Sequence, residues 1–377
     1  MRHDIDELLL ERALELAEAG RGLTSPNPCV GAVVVDDGGT IVGTGSHSFE
    51  GVKHAEVLAL EQAGEKARGA TLYVNLEPCS HTGRTGPCTA AIIAAGLRRV
   101  VAAVQDPNPL VSGRGFQQLR DAGITVVEGV LEEKAKQLNE SFARYIRRHI
   151  PLVTLKAAMT LDGKIAPPPR TRERPAALWI TGESARAHAH RLRHASDAIL
   201  VGVGTVIADD PLLTDRSGQP RRRRLLRIVL DSELRLPVSS RVVETAENDV
   251  LVLCTSDDQR RRQELTDRGV RVERLSPAPD GRPSLKEVLA HVGGLEITSL
   301  LIEGGAQVNG EALAEGVVDK VFFYYAPTIL GGLAAVPLAT GRGFQSIDDA
   351  PRVHPFRLHT FGQDFALEGY LKDPYAD

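Results

Sequence analysis

The chain has only four cysteines among 377 residues, no excess of positive charge and no long apolar run. Each absence excludes something. Four cysteines in a chain of this length do not make a disulfide framework. A net charge of −4, with neither half of the chain basic, gives a polyanionic partner no footing. The short Arg221–Arg224 and Arg260–Arg262 runs are isolated and lack interleaved aromatics, so they read as solvated surface. No stretch of about 18 apolar residues is present, and no membrane span is expected. Met1 to Glu11 is acidic and helical in pattern, unlike a signal peptide, so the reading is cytoplasmic. Apolar residues at 42% and charged residues at 25% describe an ordinary globular protein. Single cores seldom exceed about 250–300 residues, so two domains are expected.

The first 148 residues read as alternating helices and strands. Ile5–Ala19 has helical apolar spacing and stops at Gly20. Val30–Val35 and Thr40–Ser46 form a hairpin through Asp36-Asp37-Gly38-Gly39. A helix over His54–Ala67, a strand over Ala70–Leu76 and a helix over Cys88–Ala95 follow. Then come strand Val100–Val104, helix Gly115–Ala122, strand Ile124–Glu128 and helix Leu131–Ile146. This alternation argues for a layered α/β domain. A boundary is expected near Arg147–Pro151. Beyond it a second α/β region begins at Leu152–Ala157, with strands at Ala198–Val201, Arg227–Leu230, Val250–Cys254, Val270–Arg274, Ser299–Glu303 and Lys320–Tyr325. The domains are therefore read as 1–148 and 151–377. Pro167–Pro175 is a low-complexity surface loop.

The densest chemistry is His54-Ala55-Glu56 followed by Pro78-Cys79 and Pro87-Cys88. One imidazole and two thiolates suit Zn²⁺, whose catalytic sites keep a fourth position for water. The metal lowers the pKa of that water, and a carboxylate that is not a ligand can shuttle its proton. H-x-E with a P-C-x-x-C pair is the signature of zinc deaminases of nucleobases. Here Ser80 to Pro87, eight residues, separate the cysteines. His54, Cys79 and Cys88 are therefore the expected metal ligands and Glu56 the catalytic proton carrier. A structural zinc site would need a fourth protein ligand, for which His81 is the only nearby candidate. Cys29 and Cys254, in apolar surroundings, read as buried small hydrophobes.

The insert Cys79-Ser80-His81-Thr82-Gly83-Arg84-Thr85-Gly86-Pro87-Cys88 resembles the deaminase domain of the bifunctional riboflavin-biosynthesis family. There the loop runs P-C-S-H-x-G-R/K-T-P-P-C; Gly86 replaces a proline. Asn27-Pro28-x-Val30-Gly31 and Gln105-Asp106-Pro107-Asn108-Pro109 also resemble that family's motifs. The resemblance implies a cytidine-deaminase-like three-layer fold and a phosphorylated pyrimidine substrate, with Asn27, His81, Arg84, Asp106 and Asn108 lining the pocket. Asp and Asn before proline are also ordinary turn formers.

Residues 151–377 resemble the reductase half of the same family, with a dihydrofolate-reductase-like fold and NADPH as cofactor. The carriers are Leu155-Lys156-x-Ala158-x-x-Leu161-Asp162-Gly163-Lys164-Ile165, Trp179-Ile180-Thr181, and Gly204-Thr205 through Asp209-Asp210-Pro211-x-Leu213-Thr214. Val229-x-Asp231-Ser232 and Ile302-Glu303-Gly304-Gly305-Ala306 complete them. No G-x-G-x-x-G opens this region, which argues against a Rossmann domain. By resemblance Ala158, Trp179, Thr205, Asp209, Ser232 and Gly305, Ala306, Gln307, Val308, Asn309, Gly310 and Glu311 contact the dinucleotide. Lys156, Arg193, Leu213, Arg216 and Glu303 contact the substrate. Trp179 and Leu213 could instead be core, whereas Glu303, closing an apolar strand, needs a partner if buried. The family's serine two residues before the tryptophan is Ala177 here, so that contact is absent or supplied from elsewhere.

The resemblance implies hydrolytic deamination of 2,5-diamino-6-(5-phosphoribosylamino)pyrimidin-4(3H)-one, then reduction by NADPH to 5-amino-6-(5-phosphoribitylamino)uracil. A homo-oligomer is expected. Two alternatives stand beside it: a nucleic-acid base deaminase, and a deaminase joined to a non-catalytic second module.

Overall fold

The computed structural model describes residues 2–81, 86–168 and 179–376. Arg84, Ala177 and most of the Pro167–Pro175 segment lie outside the described residues. The chain forms two compact units. The first comprises Met1–Arg148 with Pro220–Arg222, the second His149–Gln219 and Arg223–Ala376.

The first unit runs α1 (Arg2–Glu18), β1 (Gly31–Val35), β2 (Ile41–Ser46), α2 (Ala55–Ala63), β3 (Thr71–Leu76), α3 (Cys88–Ala95) and β4 (Arg99–Val104). It continues with α4 (Arg114–Asp121), β5 (Thr125–Glu128), α5 (Glu132–Leu138) and α6 (Glu140–Arg148). Its strands form one sheet in the order β2-β1-β3-β4-β5, with β1 antiparallel to both neighbours and β3, β4 and β5 parallel. Strand β4 is buried along its whole length, as expected where helices cover both faces of a parallel strand.

Missing side chains set the helices close against this sheet. A Cβ on Gly43 or Gly45 of β2 would stand 2.0 Å from the Ala59 or Ala55 carbonyl oxygen of α2. On β1, a Cβ on Gly31 would stand 2.1 Å from Ala13 O of α1. Gly45 pairs with Ala32 and Gly31 with Ser46. Adjacent residues on a strand face opposite ways, so α1 and α2 cover opposite faces in a three-layer sandwich.

The expected helix Leu131–Ile146 is two helices, divided at Asn139. This buried residue turns its amide inward, accepting from Cys29 N at 2.8 Å and donating to Cys29 O at 3.0 Å. Asn75 donates to the same carbonyl and accepts from Gly31 N. Satisfying buried backbone groups outweighs one uninterrupted helix. Cys29 and Cys254 are both buried, as expected.

The second unit contains β6 (Leu152–Thr160), β7 (Lys164–Ala166), α7 (Glu183–Ala195), β8 (Ala198–Gly202), α8 (Val203–Asp209) and β9 (Leu226–Leu230). After these come α9 (Arg241–Glu244), β10 (Val250–Cys254), α10 (Gln259–Thr266), β11 (Val270–Arg274), α11 (Leu285–Gly294) and β12 (Ser299–Ile302). The last elements are α12 (Ala306–Ala314), β13 (Lys320–Ala326), β14 (Val336–Pro337), β15 (Phe356–Phe361) and β16 (Asp364–Tyr370). Among the described residues they form a sheet in the order β11-β10-β9-β8-β12-β6-β13-β16-β15 and a small β7–β14 pair. The pairs from β11 to β13 are parallel and the last two antiparallel.

The parallel strands β8, β9, β10 and β12 are the near-continuous apolar runs that the sequence shows. Strands β15 and β16 were not expected. Phe356–Phe361 is half polar and largely exposed at the sheet edge, so no buried apolar run marks it. A two-residue turn joins the pair, with Gly362 at φ +69°.

A buried ion pair ties α1 to the first sheet. The Arg99 guanidinium forks onto Asp6 at 2.8 and 2.6 Å, and Tyr73 Oη donates to Asp6 at 3.0 Å. Removing one member leaves a buried charge uncompensated. Asp6→Ala is expected to lower the stability of the first unit by about 3–5 kcal/mol. Denaturant titration followed by circular dichroism measures this, and a loss under about 1 kcal/mol would contradict the assigned role of the pair.

Candidate active sites

Five segments of the first unit meet at one end of its sheet. β3 and β4 are parallel neighbours, so the loops after them, Pro78-Cys79 and Asp106–Asn108, emerge side by side. β1 is antiparallel to β3, so the segment before it, Asn27–Val30, lies at that same end. β2 ends there too, leading through His47 to the start of α2. Loops at the carboxyl ends of parallel strands are where α/β sheets build their sites.

His54 is the N-cap of α2 and Cys88 the first residue of α3. Among the described residues, His54, Cys79 and Cys88 form a group whose donor atoms all lie within 4.8 Å of one another. His54 Nδ1 is 3.2 Å from Cys88 Sγ and 3.5 Å from Cys79 Sγ. Zn²⁺ holds sulfur at about 2.3 Å and nitrogen at about 2.0–2.1 Å, which separates tetrahedral donors by roughly 3.5–3.8 Å. The three donors fit that ion. Cys88 N donates to Cys79 Sγ at 3.3 Å, and the Cys88 and His54 side chains stand beside that sulfur. They hold Cys79 well below the ordinary thiol range, at about 4. The same pairing, together with burial, pushes Cys88 up.

Glu56, in the first turn of α2, is 3% exposed and touches the Cys88 thiol. Burial and the neighbouring Cys79 raise its pKa above the ordinary carboxylate value. A carboxylate that takes up a proton readily, beside a three-donor metal site and outside its ligand set, has the disposition of a proton carrier.

The residues expected to line the pocket differ in their placement. Asp106 is buried, and that burial lifts its pKa to about 6. Its Oδ1 accepts from Asn108 N at 2.9 Å, and Asn108 Oδ1 accepts from Leu110 N at 3.0 Å. Both residues thus make the local turns that Asp-Pro and Asn-Pro suggest. His81 is exposed, and Arg84 lies outside the described residues.

Sequence reasoning missed His47. This buried ring stands 5.4 Å from the His54 ring, centre to centre. Its Nδ1 is 3.2 Å from Lys53 O, a pure acceptor, so Nδ1 carries the proton. Nε2 then accepts from Asn27 Nδ2 at 3.2 Å, which orients the Asn27 amide. A lone histidine after a strand carries no pattern to reveal this.

In the second unit the carboxyl ends of β6, β8 and β12 lie adjacent. Glu303, directly after β12, is 10% exposed in its side chain. Arg193 of α7 grips it through Nε–Oε1 at 2.8 Å and Nη2–Oε2 at 3.0 Å, and Lys156 Nζ of β6 reaches Oε2 at 3.3 Å. Burial pushes the carboxyl up, but the Arg193 and Lys156 charges outweigh it and hold Glu303 far below the ordinary range. The partner demanded by a carboxylate at the end of an apolar strand is present twice. Arg216 is exposed beside this group.

Trp179 is not core: it is 61% exposed, with the Arg186 guanidinium 4.9 Å from its ring centre. Leu213 is 3% exposed within an apolar cluster, so its side chain serves packing. Thr205 Oγ1 lies 3.2 Å from where a Gly305 Cβ would stand, bringing the β8–α8 and β12–α12 turns together. Ala306 to Glu311 are helical rather than looped, as the first part of α12. Asn309 is fully buried and donates to Leu338 O at 2.8 Å. Ala158, Asp209 and Ser232 are partly or fully exposed around the same strand ends.

Two family models match. The cytidine and deoxycytidylate deaminase zinc-binding region covers residues 3–104, and the RibD C-terminal domain covers residues 151–367. The riboflavin biosynthesis protein RibD of Aquifex aeolicus is 45% identical over 97% of this chain and 99% of its own length. That of Escherichia coli is 41% identical over 96% and 98%. The chain belongs to the RibD family. Among solved structures, Acinetobacter baumannii RibD aligns with a TM-score of 0.82 at 38% identity, covering 98% of this chain and 99% of that one. A Thermotoga maritima diaminohydroxyphosphoribosylaminopyrimidine deaminase/5-amino-6-(5-phosphoribosylamino)uracil reductase aligns with a TM-score of 0.81 at 37% identity and the same coverage.

As a RibD, the protein is a bifunctional deaminase and reductase of riboflavin biosynthesis, with zinc and NADPH as cofactors. The nucleic-acid deaminase and the non-catalytic second module give way to this assignment. Among the described residues no helix is long and apolar enough to cross a membrane.

The ion cluster around Glu303 yields a direct expectation. A depressed carboxyl contributes stability above its unfolded value of about 4.5 and loses it only as pH falls through the lower folded value. Arg193→Met strips the bidentate partner and should cost the second unit about 3–5 kcal/mol at neutral pH. Denaturant titration measures it; a change within about 0.5 kcal/mol would show that Lys156 alone neutralises Glu303.

Proposed function

We propose that the first unit deaminates 2,5-diamino-6-(5-phosphoribosylamino)pyrimidin-4(3H)-one at the ring carbon bearing the 2-amino group. The convergence of His54, Cys79 and Cys88 with Glu56 beside them carries this reading. The three donors would hold zinc, which when bound supplies Lewis acidity that brings the pKa of a coordinated water towards neutral. Glu56 takes the proton released as water oxygen adds to the ring carbon. It delivers that proton to the ring nitrogen. It then carries the second proton, released by the added hydroxyl as it becomes a carbonyl, to the departing amine, so ammonia leaves and a ring carbonyl remains. Desolvation of Glu56 favours its protonated form and suits this exchange. Asn27, oriented by His47, and the Asp106–Asn108 turn hold the base; Arg84, within the insert, is assigned to the phosphate or the base.

The second unit would then reduce the ribose of the deaminated product to a ribityl chain. NADPH, when bound, would supply the hydride that reduces C1′ of the opened sugar. Lys156, Arg193, Arg216 and Glu303 position the substrate, and Leu213 takes part through its backbone. Ala158, Trp179, Thr205, Asp209 and Ser232 and the α12 start from Gly305 to Glu311 would hold the dinucleotide. Within that start, buried Asn309 acts by shaping the turn.

Glu56→Gln is expected to keep its zinc, measured by metal analysis, and to lose ammonia release by a factor of at least about 10². Turnover near the wild-type rate would remove Glu56 from the mechanism. Supplied with the deaminated substrate, the same variant should oxidise NADPH at the wild-type rate; no oxidation by the intact protein would defeat the reductase assignment.

A further inference from the structure

Glu77 stands two residues before Cys79, at the end of β3, and no role above uses it. Its side chain is buried, 2% exposed. Four backbone N–H groups donate to it. Oε2 accepts from Asp106 N at 3.0 Å and Gly113 N at 2.9 Å. Oε1 accepts from Gly115 N at 2.8 Å and Phe116 N at 3.3 Å.

The donors fall at telling places. Asp106 is where the chain leaves β4, and Gly113 is the N-cap of α4. Oε2 therefore joins the two ends of the loop that holds Asp106 and Asn108. Gly115 and Phe116 lie in the first turn of α4, whose N–H groups lack partners within the helix and favour a negative charge. A Cβ on Gly115 would stand 2.1 Å from Pro78 O, so α4 begins flush against the turn that leads to Cys79. Had Glu77 served only to cap α4, Oε1 would have sufficed. Oε2 is spent on the loop.

We propose that Glu77 is a positioning residue of the deaminase: through this one side chain the turn carrying Cys79 sets the place of the Asp106–Asn108 loop. Metal donors and base-holding residues thereby keep a constant separation. This rests on the reading of Asp106 and Asn108 as substrate contacts.

Glu77→Gln in the full-length zinc-loaded protein tests it. Glutamine has the same shape but one acceptor oxygen, so two of the four donors lose their partner whichever way the amide turns. With 2,5-diamino-6-(5-phosphoribosylamino)pyrimidin-4(3H)-one as substrate, KM is expected to rise about tenfold or more while kcat moves less. Zinc content and NADPH oxidation on the deaminated substrate should stay at wild-type values. Asn108→Ala, made in both backgrounds, supplies the readout that simple destabilisation would not move. It should raise KM in the wild type and add little in E77Q.

An unchanged KM in E77Q, activity lost in step with zinc, or an undiminished N108A effect in E77Q overturns the Glu77 proposal alone. N108A without effect in the wild type overturns the substrate reading of the loop, and the Glu77 proposal with it. Should E77Q fail to fold, Gly113→Ala loosens the Oε2 end by straining a residue at φ +77°. It is expected to raise KM in the same direction by a smaller factor, and an unchanged KM there also overturns the proposal.

Discussion

Helix α2 reaches the metal centre because strand β2 carries no side chains where the helix lies on it. Gly43 and Gly45 let the backbone of α2 touch the strand, and the start of that helix delivers both His54 and Glu56. A methyl group at either glycine would lift the helix and move ligand and proton carrier together. Everything chemical in the first unit presupposes this contact, since the cysteines come from other elements and wait at fixed places.

The rest of that centre is held by buried polar side chains that each make two or more hydrogen bonds. Asn75 and Asn139 grip Cys29 and Gly31, which fixes the entry to β1 just after Asn27. His47 links Asn27 to the residue before His54. Glu77 gathers the loop after β4. Buried polar groups are costly unless fully bonded, so each of these side chains also specifies one arrangement of the loops around the site.

The second unit solves a different problem with the same economy. Its site gathers at the ends of parallel strands, where a carboxylate stands among two cations. Glu303 is tolerable there because Arg193 and Lys156 neutralise it. The cluster of Glu303, Arg193 and Lys156 carries two positive charges against one negative and lies largely buried. NADPH and a phosphorylated substrate, both anionic, are the ligands proposed for this site.

Reactive groups with fixed local spacing were legible before any fold was known. His54-Ala55-Glu56 and the two Pro-Cys pairs announce zinc and hydrolysis because ligand type and spacing are matters of covalent chemistry. The buried strands were legible because burial on both faces leaves a continuous apolar run. The edge strand β15 and its neighbour β16, the break at Asn139, and the roles of His47 and Glu77 were not. The last three depend on partners distant in sequence: Asn139 on Cys29, His47 on Asn27, Glu77 on Asp106 and Gly113. A single residue type carries no mark of such a partner. The sequence by itself determined the reaction chemistry and the layered class, whereas the separation of ligand, base-holding loop and proton carrier came from long-range packing, because only the folded sheet brings those strand ends together.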